Sequence, residues 1–210
     1  MKGTTIFIQT LLSLLIIAPV TSLNAADLRF GGGIGYSYAE PRWEGEIDDR
    51  LEDEYDTIGK GYGGIGTDGD TTATSGRLFA SLHSDTAFLE LGYALLGRWN
   101  IKVEDNLGFG ERESTALYAL SGIQLGGLPI EAYSGIHYNR TEVSVTERLK
   151  DERMKSEYND QAHGYLLGVR YRMNHGKSQI FISLEQWKAV GNQEQSGKIE
   201  PIISSLGIRF

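Results

Sequence analysis

The stretch from Ala87 to Val103 constrains the fold more than any other. One set of alternate positions reads Ala87, Leu89, Leu91, Tyr93, Leu95, Trp99, Ile101, Val103. The other reads Phe88, Glu90, Gly92, Ala94, Leu96, Arg98, Asn100, Lys102. A period of two is the signature of an extended strand with one apolar face. Helical spacing would scatter the charges on every side, so the run is a strand whose apolar face has to be covered by something.

The same pattern recurs along the chain. Leu28 to Tyr38 sets Leu28, Phe30, Ile34, Tyr36 and Tyr38 against Arg29, Gly31, Gly33, Gly35 and Ser37. Ser75 to His83, Ile130 to Thr141, Ala162 to Met173 and Gln179 to Trp187 alternate likewise. Ser114 to Leu125 is ambiguous in phase, because Leu117, Ala119, Ile123 and Leu125 compete with Tyr118 and Leu120. A bulge would reconcile the two sets. The last strand, about Lys198 to Phe210, has Ile202, Leu206, Ile208 and Phe210 on one face. Arg209, Gly207, Ser205 and Ile203 lie on the other. Eight strands are expected.

Their connections alternate in length. Residues 84–86, 126–128 and 174–178 are short and turn-like, whereas 39–74, 104–113, 142–161 and 188–197 are long and polar. Aromatic residues (Tyr36, Tyr38, Tyr93, Trp99, Tyr138, Tyr165, Tyr171 and Phe210) are expected near strand ends on the apolar face. That is where amphipathic rings sit at a lipid headgroup level.

The bounds agree. Lys2, the mostly apolar run Ile6 to Val20 and the small residue Ala25 have the layout of a secretory signal peptide. Residues 1–25 are therefore expected to be removed, leaving 26–210 as one domain. Loss of Lys2 takes the formal charge from −8 to −9, which argues against nucleic-acid binding. There is no Cys, hence no disulfide, thiolate metal site or lipid-bearing cysteine. Gly is abundant at 27, Pro rare at 4, and the hydrophobic fraction only 40%. Membrane helices need more apolar residues than that, whereas a barrel that is apolar on its outside alone does not. A soluble barrel would turn the apolar face inward. Against it, the opposite face is mostly Gly, Ala and Ser with isolated charges, as a narrow interior requires.

With eight strands, four long loops and a terminal Phe210 closing the barrel, residues 26–210 resemble the OmpA-like and OmpX-like small outer-membrane β-barrel proteins. The Gly-rich first strand, Phe30-Gly31-Gly32-Gly33-Ile34-Gly35-Tyr36, adds to the likeness. The resemblance implies an all-β, eight-stranded antiparallel up-and-down transmembrane β-barrel in the bacterial outer membrane. It also implies contact with outer-membrane lipid and lipopolysaccharide, recognition of the C-terminal strand by the barrel-assembly machinery, and a monomer. The sequence stops at strand eight, so no peptidoglycan-binding periplasmic domain is expected. Family members include adhesins, surface-protective proteins and structural barrels, so the fold does not name the function.

Strand phase assigns Arg77, Glu90, Arg98, Glu131, Arg170 and Glu185 to the interior, along with Arg29, Lys102, Arg172 and Arg209. An eight-stranded barrel is only wide enough for side chains to fill it. Buried charges need partners, so these groups are expected to form a structural ion-pair plug. A narrow pore for ions or small solutes, with Glu90 or Glu131 exchanging arginines, is the alternative.

Residues 39–74 hold eleven acids against Arg42, Arg50 and Lys60. Asp68-Gly69-Asp70 lacks the spacing of a calcium loop, so a solvated external loop is expected, with no metal and no cofactor. Residues 142–160 mix both signs, and either extend the strands into a hairpin or turn helically near Leu149. They are a candidate contact surface for a ligand the sequence does not name.

Outer-membrane lipid A deacylases pair a His with a Ser two residues along a strand. Here His137-Tyr138-Asn139 has Asn in that place, and phase turns His137 inward. No catalytic residue is expected.

Overall fold

The computed structural model describes residues 27–39, 67–103, 108–149, 152–175, 178–190 and 200–210. The expected signal peptide and most of the acidic segment 39–74 lie outside the described residues.

Every element among them is a strand: β1 (Asp27–Tyr38), β2 (Thr67–Gly69), β3 (Thr72–His83), β4 (Ala87–Val103), β5 (Gly108–Gln124), β6 (Ile130–Leu149), β7 (Glu152–His175), β8 (Ser178–Val190) and β9 (Ile202–Arg209). All pairings are antiparallel. The order β4-β3-β1-β9-β8-β7-β6-β5 returns to β4, so eight strands close into a barrel. The ninth, β2, is a three-residue piece paired to the top of β4. Closure falls on the two terminal strands. Phe210 donates its amide to the Phe30 carbonyl at 2.9 Å and accepts the Phe30 amide at 3.0 Å, continuing the β1–β9 ladder past Arg209.

Side chains alternate as strand geometry demands. Ile34, Leu78, Leu91, Leu117, Ile136, Leu184 and Leu206 stand on the outside, each more than half exposed. A water-soluble monomer does not carry a continuous apolar exterior of this extent. This outer face is built for lipid. Tyr36, Tyr93, Tyr138 and Tyr171 stand on it among the girdle residues.

Three expectations are corrected. The first concerns phase. The β4–β5 register shifts between Leu95 and Gly97, a bulge with Leu96 as the extra residue. Two residues of β4 then oppose one of β5, and every later side chain changes face. Trp99, expected outside in the girdle, is 2% exposed and packs against Ala39 and Ala73. Arg98 and Lys102, expected inside, face outward. The ambiguity in β5 needs no bulge of its own, because its register with β6 is continuous; Tyr118 and Leu120 point in, Leu117 and Ile123 out.

The second correction concerns length. Residues 104–113 and 142–161, expected as loops, are largely strand: β4 runs to Val103, β5 begins at Gly108, and β6 and β7 pair without interruption from Ile130↔Tyr171 to Leu149↔Glu152. Of the two forms open to 142–160, the hairpin is the one present. Among the described residues β8 pairs with β7 up to Val190↔His163, and the upper parts of β4 to β7 run past that rung as a β ridge. The third is the piece β2, which no alternation announces.

Candidate functional site

Interior side chains fall into stacked polar levels. Nearest the short turns, Glu131 accepts from Arg209 Nη2 at 2.6 Å and lies 3.4 Å from Arg172 and 3.6 Å from Arg170. Arg209 also donates through Nε to Gln179 Oε1 at 2.6 Å and through Nη1 to His83 Nε2 at 3.0 Å, so His83 acts as a neutral acceptor. One level up, Arg170 Nη1 meets Glu90 Oε2 at 3.1 Å, and Tyr118 donates to Glu90 Oε1 at 2.9 Å. Above that, Arg77 Nη1 meets Glu185 Oε1 at 2.6 Å; Tyr133 and the Trp187 indole also donate to Glu185. Arg77 Nη2 reaches Ser205 Oγ at 3.1 Å.

Of the six charges assigned to the interior, five are thus buried and joined: Arg77, Glu90, Glu131, Arg170 and Glu185. Arg98 is the exception. The bulge puts it outside, where its side chain is 58% exposed and tied to Glu111 at 2.6 Å and to Glu113. The bond from Glu113, then the charge of both carboxylates, raises the guanidinium pKa above its ordinary value. Arg29, at the short-turn rim, lies 3.8 Å from Asp27.

The sequence does not disclose the roles of the tyrosines and the tryptophan that satisfy these carboxylates. Tyr133 reads as inward, but nothing in its strand says which carboxylate it faces across the barrel.

Space for these bulky groups is made by glycine. Phe79, Phe88, Tyr118, Tyr133, His137 and Phe181 each stand directly opposite a glycine on a neighbouring strand: Gly31, Gly122, Gly92, Gly168, Gly164 and Gly207. A Cβ at any of these glycines would collide with the ring. The rings lie flat over backbone and line the charges. Arg170 has its guanidinium carbon 4.4 Å from the Phe181 centroid and 5.0 Å from that of Tyr133, within cation–π range.

Among the described residues these side chains fill the interior levels around Arg77, Glu90, Glu131, Arg170 and Glu185. Beside Ser75, Arg77 and Glu185 lies a void of about 10 Å³, room for one water at most. Among the described residues no group of acids and histidines is placed to hold a metal.

The two kinds of ion pair should respond differently to mutation. Arg98→Ala is expected to leave the urea midpoint of the folded barrel unchanged, because exposed pairs contribute little. Arg77→Ala, which strands Glu185 in the interior, should cost about 3–5 kcal/mol. Equal shifts in micelle-based urea titrations would contradict this placement.

No protein-family model matches the sequence, and no curated protein matches it. Solved structures do. Ail, the attachment invasion locus protein of Yersinia pestis, aligns over 87% of this chain and 97% of its own at 12% identity, with a TM-score of 0.54. The fold is that of the small outer-membrane barrels. Ail in complex with the heparin analogue sucrose octasulfate aligns over 88% of this chain and 99% of its own, at 13% identity and a TM-score of 0.52. Neisserial surface protein A covers 89% of this chain and 98% of its own at 14% identity, with a TM-score of 0.48. At these identities the likeness concerns the fold alone; any function has to come from the residues.

Proposed function

We propose that this protein is a non-conducting, non-enzymatic barrel of the bacterial outer membrane that makes contacts at the cell surface through its β ridge and acidic loops. The observation that carries the reading is the contrast between the barrel's two halves. The interior is occupied by paired charges and rings, while four strands continue past it as a polar ridge. A filled interior serves support, and a raised sheet offers surface. The sequence between β1 and β3 supplies further polar groups, with eleven acids in residues 39–74.

Catalysis finds no support. His137 and Asn139 are both buried inside the barrel, away from any lipid substrate. His137 Nε2 is engaged with the Lys188 carbonyl at 3.1 Å.

Two measurements test the proposal. In planar bilayers the folded protein should give no large steady channels. Glu185→Ala with Arg77→Ala, which empties one level of the plug, should raise the conductance. Steady large channels from the unaltered protein would instead support the narrow pore. For surface contact, bacteria expressing the protein should adhere to cultured cells, and trimming residues 40–66 together with 144–157 should abolish adherence without changing heat-modifiability on gels. Adherence that survives the trimming would sink the assignment to these segments.

A further inference from the structure

On the outer face of the ridge, β4 just above its bulge and the polar ends of β5, β6 and β7 line a recess of about 650 Å³, within the size range of small-ligand sites. We propose that this recess binds sugar, namely the saccharide headgroup of a glycolipid in the outer leaflet that surrounds the barrel. The proposal rests on the outer-membrane reading above and adds to it a ligand and a place.

Position comes first. Arg98 lies five residues beyond Tyr93 on β4, and Glu142 four beyond Tyr138 on β6, with both tyrosines on the lipid-facing side. At roughly 3.3 Å per residue and a strand tilt near 40°, the recess sits about 10 Å above the girdle. It opens sideways rather than upward: Phe109, Glu142 and Asn159 keep the phase of Leu117, Tyr138 and Leu167 below them, and the bulge turns Arg98 to the same face. In an outer leaflet, that height and direction face the sugars carried on the acyl chains.

Chemistry comes second. Arg98, held by Glu111 and Glu113, is the one base among the described residues lining the recess. On the adjacent pair of strands, Arg140 holds Glu142 at 2.8 Å and donates to Asn159 at 3.2 Å. These bonds fix the side chains and hold carboxylate and amide oxygens on the recess wall, the groups that accept from hydroxyl donors. In this polar surround Phe109 stands 70% exposed on the lining. A hexose presents a rim of hydroxyls and a face of C–H bonds. Carboxylates and amides fit the first, and a bare aromatic ring fits the second.

Two other ligands fit less well. A phosphate would need a free cation, and Arg98 is committed to two carboxylates. A divalent ion would need several carboxylates converging on one point, and the described residues bring no three acids or histidines together; Glu111 and Glu113 converge on Arg98 instead.

The test uses the full-length protein refolded in micelles, with native mass spectrometry reading the bound glycolipid. Three probes are compared: lipopolysaccharide carrying core hexoses, lipid A without core sugars, and free core oligosaccharide as competitor. The core-bearing lipid should be retained about tenfold over lipid A, and the free oligosaccharide should displace it. Phe109→Ala with Asn159→Ala should lower retention about tenfold, whereas Phe30→Ala at the short-turn rim should not. Glu142→Gln, a milder change, should lower it in part. Equal retention of lipid A, or retention indifferent to Phe109, Asn159 and Glu142, would overturn the site while leaving the barrel reading intact. A protein that does not fold into lipid at all, shown by the absence of a heat-dependent gel shift, would sink both.

Discussion

Glu131→Gln should destabilise the folded barrel by about 3–5 kcal/mol, the cost of leaving buried charge uncompensated. The side chain keeps its size and can still accept hydrogen bonds, so the loss isolates charge from packing. Glu131 is the counter-ion of three arginines: Arg209 at 2.6 Å, Arg172 at 3.4 Å and Arg170 at 3.6 Å. Arg170 retains Glu90. Arg209 retains the neutral acceptors Gln179 and His83 and, among the described residues, no other ion pair within 4 Å. Glu131 and Arg209 are both buried, so solvent does not readily take over the role of the carboxylate. The check is a urea titration in lipid vesicles, read by tryptophan emission and gel mobility together. If the cause is unpaired charge, Arg209→Met in the Glu131→Gln background should restore part of the loss. A Glu131→Gln variant within 1 kcal/mol of the parent, or a double variant worse than the single, would show that the plug is not held by charge balance.

How far the sequence discloses this arrangement depends on what a strand pattern encodes. Alternation encodes face, and face was enough for strand number, closure at Phe210 and five of the six interior charges. It does not encode register between strands. That Glu131 meets Arg209, 78 residues away, follows only once both sit on known rungs of a closed barrel. Nor does alternation survive a bulge whose two residues are alike. Leu95 and Leu96 are both apolar, so the inversion that sends Arg98 out and Trp99 in leaves no trace at the point where it happens.

The ridge was obscured for a different reason. Above the lipid neither face has to be greasy, so the alternation fades to Val143 and Val145 between Glu142, Ser144 and Thr146. The two buried valines were the available signal. They were outweighed by the surrounding charges, and the recess beside Arg98 was hidden along with the ridge.

Phe181→Ala tests the other component of the interior, the seating of rings on glycine, and should cost about 3–5 kcal/mol. Phe181 is fully buried, sits over Arg170 at 4.4 Å and lies 5.9 Å from Phe79 between ring centroids. Its floor is Gly207, its direct partner on β9, where any Cβ would strike the ring. Gly207→Ala alone should therefore also destabilise, by about 1–3 kcal/mol of overpacking. The two changes should not add. Removing the ring vacates the volume that the new methyl group needs, and the methyl in turn fills part of the cavity. The double variant is expected to be more stable than the sum of the single effects by about 1 kcal/mol, within the range seen for residues in contact. The same cycle run on Tyr133 and Gly168 should behave alike, since that pair has the same register and the same collision. There the loss of the hydrogen bond that Tyr133 donates to Glu185 adds a penalty that the glycine change cannot repair. Strict additivity at both pairs would mean that ring and glycine are neighbours without being fitted to each other, and that ion pairs alone hold the interior.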